Sequence, residues 1–192
     1  MYIKNNGTTE TFKNHIVKFL FLLIGLGVNI AVSNAQVTIT PANLSNICVD
    51  GGYYGLDDIT IDENAINDFA IVGANSTREY LRIELPSGFE FKTTAGTVAL
   101  STFDDFDTNP AADGPTYTVT ATYVEISYII DAEAVLNSFF LQDFQVRAIT
   151  AANTGNMTRI ASPSGTDAIV NGANIGSLYG SLSSISAPSI ST

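Results

Sequence analysis

The sequence predicts an all-β chain that folds as a single antiparallel β-sandwich behind an N-terminal leader. Three observations predict it. Apolar residues recur with period two in many short runs, which puts them on one face of a strand. Turn residues separate those runs at short intervals: Pro86-Ser87-Gly88, Asp113-Gly114-Pro115, Asn153 to Gly155, Ser162 to Gly165 and Asn171-Gly172. No helical periodicity runs long enough to build a crossover, which argues against a parallel α/β sheet. Short strands of this kind at regular spacing indicate a sandwich or barrel of roughly seven to ten strands.

The chain opens on the leader. Lys4, Lys13, His15 and Lys18 make a charged lead, and Phe19 to Val32 is an apolar run broken only by glycine and Asn29. Ser33-Asn34-Ala35 then offers small residues at the two positions a signal peptidase inspects. Fourteen residues fall short of the roughly 20 apolar residues a membrane span needs. Residues 1–35 are therefore expected to be a cleaved secretory signal, with no membrane insertion afterwards. Cleavage leaves 157 of the 192 residues, the size of one domain. Such a chain buries enough surface to need no disulfide or metal.

Strands follow in order. Val37 and Ile39 alternate with threonine, as do Ile59 and Ile61 with Thr60 and Asp62. Leu81, Ile83 and Leu85 alternate with Tyr80, Arg82 and Glu84, and Phe89 and Phe91 flank Glu90. Tyr117, Val119 and Ala121 alternate with Thr116, Thr118, Thr120 and Thr122, and Phe144, Val146 and Ala148 with Asp143, Gln145 and Arg147. Further strands are expected at 96–102, 123–130, 157–161, 167–170 and 175–182. Asp131 to Asn137 is expected to form a turn or two of helix. From Ser181 onward the chain gains serine and proline and reads as a linker. The domain boundaries are drawn at 36–183 for the sandwich and 184–192 for the tail. The expected core includes Val37, Ile39, Ile61, Leu81, Ile83, Leu85, Phe89, Phe91, Val119, Ile126, Phe144 and Val146.

The leader holds three of the eight Lys+Arg and one of the 19 Asp+Glu, so five basic and 18 acidic residues remain, a net of −13. A surface that negative repels nucleic acid and anionic membrane. Cys48 is the only cysteine, so no intramolecular disulfide forms. Between Ile47 and Val49 it reads as a small buried hydrophobe.

Five runs, read in order, resemble a known kind of module: ICVDGGYYGLDDITIDE, YLRIELPSGFEF, a threonine-rich strand, FFLQDFQVRAITAANTGNMTRI and DAIVNGANIGSLYGSLS. The order is similar to that of the immunoglobulin-like β-sandwich modules near the N-termini of large secreted and surface proteins of Bacteroidetes. The resemblance covers most of Val37 to Ser183 and rests on strand patterns. It implies an immunoglobulin-like sandwich serving adhesion or display. It implies no catalytic residues. Such proteins commonly end in a sorting domain for type IX secretion. None follows Thr192, so the chain is expected to be a piece of a longer protein with further domains, the product of a truncated gene, or a stand-alone module exported in another way.

His15, the only histidine, lies in the leader. The cleaved chain thus has no base for Ser-His-Asp or Cys-His catalysis and no histidine for zinc. Paired carboxylates alone could hydrolyse a glycoside. The neighbours Asp57/Asp58 and Asp104/Asp105 read better as solvated acids, since adjacent strand residues face opposite ways. No enzyme activity is expected. The candidate ion site is the acidic loop 103–114, where Asp105, Asp107 and Asn109 stand at i, i+2 and i+4 with Asp113 beyond. Oxygens so spaced can gather round Ca²⁺. Pro110 replaces the glycine of an EF-hand loop, and no glutamate closes it. No cofactor other than Ca²⁺ is expected. Tyr53 and Tyr54, on a glycine-rich loop, are the candidate ligand-binding residues, able to stack on a sugar or a protein partner. The leading function is a non-catalytic extracellular module for adhesion, display or spacing. The alternative is a carbohydrate-binding module that uses Tyr53 and Tyr54 or a loop ordered by Ca²⁺, and a small glycoside hydrolase working with two carboxylates ranks below it. The expected partner is a surface glycan or protein.

Overall fold

Alternating side chains make one face of each strand apolar, and two such faces close on each other. The computed structural model describes residues 36–49, 51–66, 68–69, 78–101, 115–129, 135–168, 170 and 173–186. Among them there is no helix, and the strands, numbered in chain order, form two layers.

The first layer runs β2 (Ala42–Cys48), β14 (Leu178–Ile185), β12 (Thr154–Ile160), β5 (Glu79–Glu84), β9 (Tyr123–Tyr128), β8 (Thr116–Val119), with β13 (Thr166–Asp167) also on β5. The second layer begins with β1 (Thr38–Thr40), β4 (Ile59–Asp62), β10 (Ser138–Gln142) and β7 (Thr97–Leu100). It continues past a kink as β3 (Tyr54–Gly55), β11 (Gln145–Ala148) and β6 (Phe89–Phe91). The kink falls at Asp143, whose φ of 58° turns the chain between β10 and β11. Just past it, Leu56 N donates to Phe144 O and Lys92 N to Gln145 O, both at 2.8 Å, so the chain is held between the β3–β4 connection and the end of β6. Every pairing is antiparallel except β14 with β2 and β13 with β5.

The core sits between the layers. Leu81 and Ile83 from β5, Val124 and Ile126 from β9, and Ile59 and Ile61 from β4 are all buried. The Tyr128 ring of the first layer meets the Phe139 ring of the second at 5.1 Å, and Phe139 meets Phe69 at 4.9 Å. Ten of the twelve expected core residues are buried. Ile39 and Val119 are only partly buried and pack against the core from outside. Both stand on strands, β1 and β8, that are outermost in their sheets among the described residues.

Several expectations change. The strand segments number fourteen among the described residues, because kinks and short bridging runs divide longer strands. β2 was hidden in ANLSNIC: Asn46, with φ 60°, inserts a bulge that breaks the alternation. β10 was hidden in the continuous run FFLQ, which lacks alternation in sequence although only Phe139 and Leu141 face inward. The helix expected over Asp131 to Asn137 lies partly outside the described residues, and Leu136 and Asn137 lead into β10 without one. The serine-rich end is strand as far as Ile185, so residues 184 and 185 leave the expected tail. Ser184 is buried: its Oγ accepts from Asn153 N and donates to Thr150 O. Its serine composition had disguised a paired strand. Residues 1–35 and 187–192 lie outside the described residues.

Candidate functional site

Tyr53 and Tyr54 stand side by side but do different things. Tyr53 precedes β3 and is partly buried over the outer face of β6 and β11. Its hydroxyl donates to Glu90 Oε1 at 2.9 Å, and that bond raises its pKa above the usual tyrosine value. Arg147 Nε reaches the same Glu90 oxygen at 2.5 Å, while the Arg147 guanidinium lies 5.0 Å from the Tyr53 ring centre. Lys92 Nζ sits 5.9 Å from that centre and donates to Gln145 Oε1. The Tyr53 ring is thus engaged by the chain's own cations, and Tyr54 is the more exposed of the two, at 36%. Asp105, Asp107, Asn109 and Asp113 all lie outside the described residues, as do Asp104 and Asp50. Cys48, expected to be buried, is partly exposed at the end of β2.

The described acids mostly hold the fold. Glu63 is buried and accepts from Phe69 N (2.7 Å), Asn137 N (2.7 Å) and Asn137 Nδ2 (3.2 Å). Burial raises its pKa despite these bonds. Asp68, also buried, accepts from Asn64 N and Ala65 N and so closes the turn after β4. Asp58 accepts from Gln142 Nε2. On the outer face of the first layer, Arg82 and Glu125 are paired across β5 and β9 at 2.7 Å. Ser162 Oγ and Ser164 Oγ also donate to Glu125, at 2.5 and 2.7 Å. Burial alone would raise the Glu125 pKa. The hydrogen bonds from Ser162, Ser164 and Arg82, with the Arg82 charge, outweigh it and hold the carboxyl below its usual range. A polar hollow of about 350 Å³ adjoins this pair, lined by Arg78, Tyr80, Thr116, Thr118 and Ser127.

A second hollow, of about 500 Å³, has a different character. It lies over β2, β14 and β12 and is formed by two cross-strand rows of side chains. Asn156, Ser181 and Asn43 are mutual register partners and make one row. Thr154 pairs with Ser183, and Ser45 stands beside them in the β2 bulge, making the other. Bulges between Leu182 and Ser184 and between Met157 and Thr158 curve the strands here. The inward partners Ala42 and Leu182 are buried, so the strands present one apolar and one polar face. Ser181 Oγ donates to Asn43 Oδ1 at 2.6 Å, which orients that amide. Ser183 Oγ accepts from Asn46 N at 3.2 Å. None of its lining residues among those described is ionisable. The sequence reading missed this surface. Its only signal was three i, i+2 pairs of small polar residues, Asn43/Ser45, Thr154/Asn156 and Ser181/Ser183.

No protein-family model matches the chain, and no curated protein does. Among solved structures, it is similar to a non-cellulosomal cohesin from the archaeon Archaeoglobus fulgidus. That match has 14% identity and a TM-score of 0.40, over 79% of this chain and 92% of the cohesin. It is also similar to a chain of a type I cohesin–dockerin complex from Clostridium thermocellum. There the identity is 12% and the TM-score 0.31, over 78% of this chain and 98% of the other. Overlays this loose add no weight to any functional reading.

Proposed function

We propose that this chain is a non-catalytic extracellular β-sandwich module, serving adhesion, display or spacing in a secreted or surface protein. One observation carries the reading. Among the described residues, the 500 Å³ hollow over β2, β14 and β12 is lined by asparagine, serine and threonine with two leucines and a glycine, none of which ionises. Such a surface can hold a partner, yet it offers no group to move a proton near neutral pH. The leader pattern supports an extracellular location, and the engagement of Glu63, Glu90 and Glu125 by the chain's own donors supports a structural use of those acids.

The test is direct. The purified protein is incubated with a range of polysaccharides and proteins, and products are followed by chromatography. No product is expected at any protein concentration. Turnover that scales with protein and survives repurification overturns the reading.

A further inference from the structure

We propose that the hollow over β2, β14 and β12 is a binding site for a neutral polysaccharide, held through its hydroxyl groups. The proposal rests on the reading of the chain as a non-catalytic adhesion module and names a site and a ligand class for it.

The first ground is charge. The chain carries 19 acidic and eight basic residues, yet among the described residues no charged side chain lines this hollow. The neighbouring half of the same face, over β5 and β9, carries Arg82, Glu84 and Glu125. A protein partner recruited to so acidic a chain would gain from positive charge meeting negative. The hollow offers it nothing to meet. A neutral polyol needs only donors and acceptors, and repulsion from the rest of the chain disfavours an anionic one.

The second ground is the donor and acceptor set. Each asparagine amide presents a carbonyl oxygen and an NH₂ group, and each serine or threonine hydroxyl both donates and accepts. A sugar hydroxyl also does both. Asn43 is held by Ser181, so part of the set is oriented before any ligand arrives. Asn156 and Thr154 are exposed, and their side chains make no hydrogen bond among the described residues.

The third ground is shape. Strand neighbours stand about 4.8 Å apart, comparable with one sugar ring, so one row spans successive units of a chain. Among the described residues β2 is the outermost strand of its sheet, with no further strand on that side to stop a polymer from running out.

The test uses the full chain and titration calorimetry with three probes: a soluble β-glucan, a mannan and, as an anionic control, a polyuronate. At least one neutral polymer is expected to bind and the polyuronate is not. The double variant Asn43→Ala, Asn156→Ala is expected to weaken neutral binding at least about tenfold, because two amides that hydrogen-bond the ligand are removed. Its melting temperature is expected to match the parent's, because both side chains are exposed. The variant Tyr54→Ala is expected to bind like the parent. Three results overturn the proposal: no binding of either neutral polymer, binding untouched by the double variant, or a dimer that the double variant disperses. A chain that binds no polysaccharide and turns nothing over still fits the module reading, so the two ideas fail separately.

Discussion

Glu125 illustrates how single residues are used here. Its two oxygens take two serine hydroxyls and the Arg82 guanidinium, and the guanidinium in turn lies 3.8 Å from the Tyr123 ring centre. The arrangement ties the segment after β12 down onto β5 and β9. The Glu125 pKa is lowered on folding, so its stabilisation is complete above the unfolded value of 4.5 and drains away as pH falls below it. Replacing Glu125→Gln leaves Arg82 nearly buried without its counter-charge and is expected to cost about 3 kcal/mol at pH 7. Denaturant melts of both proteins check this. The gap between parent and variant should close as pH falls from 4.5 towards 3, and a gap of constant size would mean that charge is not the cause.

At the level of elements, the pairing of β14 with β2 joins the two ends of the sandwich in parallel. Gly180 permits it. A Cβ there would run into the Ala42 carbonyl oxygen and crowd the Met157 sulfur. Gly180→Ala is expected to destabilise the protein by about 1–3 kcal/mol through that overpacking. Gly55 in β3 has open space around its Cα, so Gly55→Ala serves as the control and should change stability little. Equilibrium unfolding in urea separates the two. The same β14–β2 pairing builds the neutral hollow, so the Gly180 variant should also weaken any ligand held there.

Across the whole molecule, net charge dominates. With 18 acidic residues against five basic ones in residues 36–192, like charges crowd a small surface. Self-repulsion of this kind opposes the compact state and is screened by salt. The melting temperature at pH 7 is therefore expected to rise between about 0.01 and 0.5 M sodium chloride, where the screening length shrinks several-fold. Scanning calorimetry at the two salt concentrations checks it. A lower midpoint in salt would mean that attractive pairs such as Arg82–Glu125 outweigh the repulsion.

Local chemistry was enough to read the fold class and most of the core. Alternation in Leu81/Ile83/Leu85 and in Phe144/Val146/Ala148 reports which face is buried, because side-chain direction in a strand depends only on position. The same reasoning failed where local pattern and tertiary role part company. Asn46 breaks the rhythm of β2, FFLQ hides β10, and the serines of β14 look like a linker until a neighbouring strand pairs with them. The neutral hollow was illegible for a stronger reason. Asn43 and Ser181 meet across 138 residues of chain, and no short-range pattern encodes which distant strands become neighbours. The sequence by itself determined a layered β structure and a strongly acidic surface. Only the tertiary structure decided that Tyr53 is held by Arg147 and Glu90, and that three unremarkable polar pairs share one face, because strand order is set by how the apolar faces close over the core.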